Sequence, residues 1–245
     1  MLKSRRLLES KIVKAPFHLF YVDRYLDDSV VEDLCRHYPI DLVHTQAENK
    51  KSFSMGSFGS TRRALEDNPV WKRFLDYVYS AAFLNECVQY LSVHSSLKLR
   101  KNVARVIKGN VLSRCQFTVD VEFSRIEVGG SIVPHTDAVQ KMLSLMLYFP
   151  TEAQAGQPEL GTNFWAKKKS LSVGSWSLLG AHKVSEASQA EFYANNQIIH
   201  QTEYVKNRLY GFIRSPRSWH SVSVLQMPDG MPRRSLNINI YFDNK

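Results

Sequence analysis

Apolar and polar residues along this chain change their period once, near residue 110. Before that point the apolar positions recur at helical spacing. Trp71, Phe74, Leu75, Val78, Ala82 and Phe83 follow the 3.6-residue repeat that gathers side chains on one helix face. Asn68-Pro69 opens this run with a capping residue and a proline suited to a first helical turn. Asp27-Asp28-Ser29 predicts the cap of an earlier helix through Val30, Leu34 and His37, stopped by Pro39. A further helix is expected over Asn85 to Leu91. Phe17 to Val22 reads as a strand ahead of the first helix. The stretch from Gln46 to Thr61, rich in Ser, Lys and Gly, reads as a loop.

After residue 110 the pattern becomes one of strands. Gln116 to Phe123 alternates apolar and polar residues, as a half-buried strand does. Gly129-Gly130 turns the chain into the strand that carries His135. Met142 to Phe149 is strongly apolar and ends at Pro150. Gly161 to Trp165, Leu171 to Leu179, Arg208 to Ile213, Trp219 to Leu225 and Ser235 to Phe242 complete the set. About eight strands without helical crossovers predict a double-sheet jelly roll. The fold class is therefore α+β. A double-stranded β-helix core, jelly-roll or cupin-like, occupies 111–245, and helices of 1–110 support it within one domain, 1–245. Gly180 to Val205 reads as an insertion, partly helical and polar, placed as a rim or lid over the barrel mouth.

Composition narrows the classes. The chain has 245 residues, 44% hydrophobic and 22% charged, which suits a globular protein with a sizeable core and no need of staples. Cys35, Cys87 and Cys115 are far apart and form no CxxC, so neither a disulfide framework nor a thiolate zinc site is suggested. They predict reduced thiols in a cytoplasmic protein. The basic N-terminal residues have no apolar run after them, and no segment is long enough for a membrane helix. The net charge of +9 favours an anionic partner. Its cationic clusters, Arg62-Arg63, Lys98 to Lys101 and Lys167-Lys168-Lys169, are short and scattered, which argues against nucleic acid.

Chemistry concentrates in Pro134-His135-Thr136-Asp137. In an extended segment residues i and i+2 project from the same face, so an imidazole and a carboxylate aim at one point. One more histidine completes a 2-His-1-carboxylate triad, which leaves part of an iron coordination sphere open. His220 opens an alternating strand and is the third candidate. His182 and His200 compete from the insertion, where a rigid ligand is harder to hold. Arg234 leads into the last strand, Ser235-Leu236-Asn237-Ile238-Asn239-Ile240. A guanidinium entering a buried strand is costly unless it meets an anion, and its fork matches a carboxylate. Arg233 beside it reads as a rim salt bridge. Arg125, ten residues before His135, is a candidate to read an anionic group in the pocket, with a surface or structural role as the alternative.

His135-Thr136-Asp137, then His220, then Arg234 resembles the 2-oxoglutarate- and Fe(II)-dependent oxygenase superfamily, in its prolyl 4-hydroxylase-like branch. Val128-Gly129-Gly130 before the HxD, the apolar Leu143 to Phe149 with its Tyr148-Phe149 pair, and Arg234-Ser235-Leu236 carry the likeness. The resemblance covers roughly residues 115 to 245. It implies that His135, Asp137 and His220 hold Fe(II) and that Arg234 binds the distal carboxylate of 2-oxoglutarate. It further implies that Tyr148 donates its hydroxyl to that carboxylate and that O2 is the co-substrate, with ascorbate as a supporting reductant. The implied activity is hydroxylation of an unactivated C–H bond with release of succinate and CO2. Asp137 sits where related halogenases lack a carboxylate, which favours hydroxylation. The substrate class stays open among small molecules, saccharides and peptidyl groups. The chain departs from the family pattern at Leu160-Gly161, where two glycines are usual, and in the insertion before His220. A zinc or manganese cupin-like hydrolase or isomerase, and a non-catalytic jelly roll binding an acidic glycan, remain alternative readings.

Overall fold

Asn68 and Ser80 decide where two of the helices begin. In the computed structural model, which describes residues 4–40, 45–47, 50–54, 65, 67–95, 115–168 and 183–244, the Asn68 side chain accepts from the Val70 and Trp71 amides. Ser80 accepts from the Phe83 amide. Each cap satisfies amides that a helix start leaves without partners. The apolar run from Trp71 to Phe83 is therefore split between two helices, α2 (Pro69–Val78) and α3 (Ala81–His94), which follow α1 (Asp28–Arg36).

The described strands form two antiparallel sheets. The larger contains β1 (Lys11–Val13), β2 (Leu19–Asp23), β3 (Thr45–Ala47), β4 (Lys50–Ser54), β5 (Cys115–Ile126), β7 (Lys141–Tyr148), β10 (Arg208–Ile213) and β12 (Arg233–Asn244). Its order is β1-β2-β10-β7-β12-β5-β4-β3. The smaller contains β6 (Ile132–His135), β8 (Asn163–Lys167), β9 (Asn196–Gln201) and β11 (Trp219–Val222), in the order β6-β11-β8-β9. From β5 to β8, and again from β9 to β12, successive strands alternate between the sheets. That alternation makes the core a double-sheet jelly roll. Among the described residues no helix is long and apolar enough to cross a membrane.

The two faces of the larger sheet serve different cores. Leu143, Leu145, Leu236, Ile238 and Ile240 pack with Val31, Leu34, Trp71, Phe74 and Phe83 of the helices. The opposite face looks between the sheets. There Met146, Tyr148, Tyr210 and Phe212 meet Phe164 and Val222 of the smaller sheet. A third cluster, Trp165, Val184, Phe192 and Trp219, joins the smaller sheet to α4 (Gln189–Asn195).

Two expectations change. The stretch read as a loop from Gln46 contains β4 and most of β3, and β4 pairs with β5. The insertion is not a free lid. Its residues Asn196–Gln201 form β9, hydrogen-bonded to β8. Ile198 is exposed in this edge strand, so the usual apolar signal is weak there. The expected strand at Leu171 to Leu179, the clusters at Arg62-Arg63 and Lys98 to Lys101, Lys169, His44 and His182 lie outside the described residues.

Gly161, the single glycine where the family pattern has two, sits where β8 approaches the end of β9. A Cβ at this position would lie 1.8 Å from the Thr202 carbonyl oxygen. Backbone pairing holds that carbonyl close, with Thr202 N donating to Thr162 O at 3.0 Å. Gly161→Ala is therefore expected to cost about 3 kcal/mol of stability, read as a lowered urea midpoint at unchanged slope.

Candidate metal centre

The site begins at the crossing from the larger sheet to the smaller one. Gly129 adopts φ +76°, a conformation that favours glycine, and its amide donates to Leu225 O beyond the end of β11. This turn delivers β6 alongside β11 in a register that places His135 directly opposite His220. Their ring centroids are 4.1 Å apart. β6 ends at His135, so Asp137 stands two residues past the strand rather than within it. Even so, one ligand atom from each of His135, Asp137 and His220 lies within 4.8 Å of the others.

Backbone carbonyls set the tautomers of both histidines. His135 Nδ1 is 2.9 Å from Val133 O, and His220 Nδ1 is 3.0 Å from Ser218 O. A carbonyl only accepts, so each Nδ1 carries the proton and each Nε2 offers its lone pair. Burial, then the neighbouring His220, pushes the His135 pKa down to about 3. Burial opposes ionisation of Asp137, but His220, Lys141 and a hydrogen bond from Ser144 outweigh it and hold the carboxyl well below its usual range. Ser144 Oγ donates to Asp137 Oδ2 at 2.7 Å, and Lys141 Nζ pairs with Oδ1 at 3.0 Å. Two neutral imidazoles and an ionised carboxylate, converging on one point with their outer atoms held, fit a divalent cation.

The cluster lines a cavity of about 150 Å³ between the sheets. Arg233 lies in the same wall and is only 3% exposed. Its Nε donates to Leu160 O at 2.6 Å, and its terminal nitrogens reach Ser235 Oγ and Thr162 Oγ1 at 3.3 and 3.4 Å. Its guanidinium carbon lies 4.9 Å from the Tyr148 ring centroid and 5.4 Å from that of Tyr204. All of these partners are uncharged. A buried cation held only by neutral groups and aromatic faces calls for an anion.

The structure therefore places Arg233, read as a rim residue, in the cavity wall, and Arg234, read as the pocket arginine, outside it. Arg234 faces the helices, with its guanidinium carbon 5.6 Å from the Tyr38 ring centroid. The reason is the two-residue period of β12. Arg234 shares parity with Leu236, Ile238 and Ile240, whereas Arg233 shares it with Ser235, Asn237 and Asn239 of the cavity wall. That polar series was the available signal. Tyr148 is on the cavity side, but its hydroxyl is taken up by Thr162 Oγ1 at 2.7 Å and Thr202 Oγ1 at 2.9 Å. It supports Arg233 with its ring. Arg125 does not line the cavity. It shares parity with Arg234 across the β12–β5 pair, binds Glu127 and donates to Ile40 O. His200, on β9, is not among the three convergent residues. Ser144, Lys141 and Thr162 complete the site, and nothing in a lone sequence separates them from other strand residues.

Replacing His220 by Ala is expected to abolish tight divalent binding while leaving a cooperative thermal transition. Ser144→Ala frees one carboxylate oxygen and is expected to weaken the metal about tenfold. Titration with Co(II), followed by its visible absorption, checks both.

No protein-family model and no curated protein matches the sequence. Among solved structures, the chain is similar to a prolyl-4-hydroxylase from Pseudomonas putida. The TM-score is 0.43 at 15% identity, covering 92% of this chain and 93% of that one. It is also similar to two non-heme alpha-ketoglutarate-dependent enzymes of nogalamycin biosynthesis. The epimerase SnoN gives a TM-score of 0.40 at 12% identity, covering 91% of this chain and 78% of that one. The carbocyclase SnoK gives 0.45 at 9% identity, covering 92% and 79%. The chain itself has two antiparallel sheets in jelly-roll order, with His135, Asp137 and His220 converging between them.

Proposed function

We propose that this protein is an Fe(II)- and 2-oxoglutarate-dependent dioxygenase that hydroxylates an unactivated C–H bond. One observation carries the reading: the three convergent ligands share a cavity wall with a buried guanidinium whose partners among the described residues are all neutral. A metal hydrolase on the same scaffold has a use for the triad but none for Arg233. A dicarboxylate co-substrate uses both, with one end at the metal and the other at the arginine.

His135, Asp137 and His220 would hold Fe(II), and three ligands leave positions open for exchangeable groups. When bound, the iron with 2-oxoglutarate and O2 supplies an oxidative decarboxylation that yields succinate and CO2 and oxidises the substrate C–H. The chain's own residues place and shield that chemistry. Arg233 receives the distal carboxylate, oriented by its Nε bond to Leu160 O and stacked between Tyr148 and Tyr204. Ser235 stands beside the guanidinium with a hydroxyl able to donate to the same carboxylate. Lys141 and Ser144 keep Asp137 ionised and fixed in rotation. Phe212, Ile132 and Val222 furnish apolar wall that limits water around the metal. A cytoplasmic setting and a small-molecule, saccharide or peptidyl substrate belong to the same proposal.

The two arginines give the test. Arg233→Ala is expected to lower kcat/KM for 2-oxoglutarate about a hundredfold, the scale of removing one partner of a buried charge pair. Arg234→Ala, on the opposite face, leaves that ratio nearly unchanged. Succinate formation measures both, and His135→Ala should abolish it. Equal losses in the two arginine variants, or succinate formation surviving His135→Ala, defeats the reading.

A further inference from the structure

Among the described residues, the Asn239 side chain in the cavity wall has no hydrogen-bond partner. Asn239 lies on β12 and is 1% exposed, and both its side-chain nitrogen and its oxygen are buried without a hydrogen bond. It shares the metal cavity. Its cross-strand neighbour on β7 is Ser144, whose hydroxyl holds the Asp137 carboxylate. Asn239 therefore stands near the metal ligands, six residues along the strand from Arg233. A buried amide with neither function satisfied is destabilising, and the natural remedy is a ligand that satisfies both.

The shape of that demand names the ligand chemistry. An asparagine amide offers two donors and an acceptor on one planar edge. A carboxylate would accept from its NH2 but leave its oxygen unsatisfied. A ketone would do the same. A carboxamide presents a donor and an acceptor side by side and can close a cyclic pair of hydrogen bonds with Asn239. Charge agrees with this choice. The charged side chains lining the cavity are Glu122, Asp137, Lys141 and Arg233, two anions and two cations. The +9 of the whole chain is thus not focused here, and Glu122 in the same wall disfavours an added anion.

Building on the oxygenase reading of this site, we propose that Asn239 recognises a carboxamide of the primary substrate, so that the substrate is neutral at this point rather than anionic. The amide pair would anchor one end of the substrate beside the carboxylate ligand and aim a neighbouring C–H at the metal.

The probe is acetamide, compared with its isosteres acetate and acetone, titrated by ligand-observed NMR into the full chain loaded with Zn(II) and 2-oxoglutarate. Acetamide is expected to bind the wild-type chain at least about tenfold more tightly than either isostere, because a site built around a hydrogen-bonding edge rejects analogues that lack it. Asn239→Leu should erase that preference. Without ligand, the same variant should raise Tm by a few degrees, since it removes two unsatisfied polar atoms at similar volume. Glutamine and a glutamine-containing pentapeptide, titrated in turn, distinguish a free small molecule from a peptide side chain, and binding of either supports the proposal. Acetamide binding no better than its isosteres, with Zn(II) and 2-oxoglutarate bound normally, overturns it. A lowered Tm in Asn239→Leu also overturns it, because internal waters would then be the partners. Failure of Zn(II) or 2-oxoglutarate to bind the wild-type chain would instead remove the oxygenase reading on which it rests.

Discussion

Most of this structure depends on β12 being a central strand with two unlike faces. It is hydrogen-bonded to β5 on one side and to β7 on the other, so its backbone groups are satisfied without regard to side chain. Its side chains are then free to divide. Leu236, Ile238 and Ile240 close the core against the helices, while Arg233, Ser235, Asn237 and Asn239 line the cavity. A one-residue slip in register would send the arginine into the helical core and the leucine into the polar cavity. The apolar half makes that slip costly. Burial on one face thereby enforces the placement of the chemical groups on the other.

The same principle explains what could be read before the fold was known. The alternation in the last strand was visible, as were the glycine turn before His135, the helix cap at Asn68 and the histidine near the start of β11. These are local patterns, and local physics determines them. The parity of the two arginines was also encoded, since a run of Ser, Asn and Asn on one side and Leu, Ile and Ile on the other distinguishes a polar cavity from an apolar core. Placing Arg234 in the pocket followed its position in a motif and overlooked its parity.

Other features were not local. β9 is an edge strand with few apolar residues, so its pairing with β8 follows from topology rather than from its own composition. The division of the second helical region at Tyr79 and Ser80 depends on a cap whose residue type is common in loops. The support of Asp137 by Lys141 and Ser144 arises where β7 folds back beside the HxD, and no spacing rule announces it. The rest of the site became legible only through the geometry that brings β5, β6, β7, β10, β11 and β12 around one space.

The carbonyl bonds that set the two imidazole tautomers have a consequence for how this site can change. His135 and His220 each take their orientation from a main-chain oxygen two residues earlier, which no point substitution can remove as it could a side-chain partner. Asp137 is different, because both its oxygens are held by side chains that can vary. Substitutions around the cluster therefore act most readily through one of its three convergent residues. The histidine pair is a fixed chassis, and the carboxylate is the adjustable part.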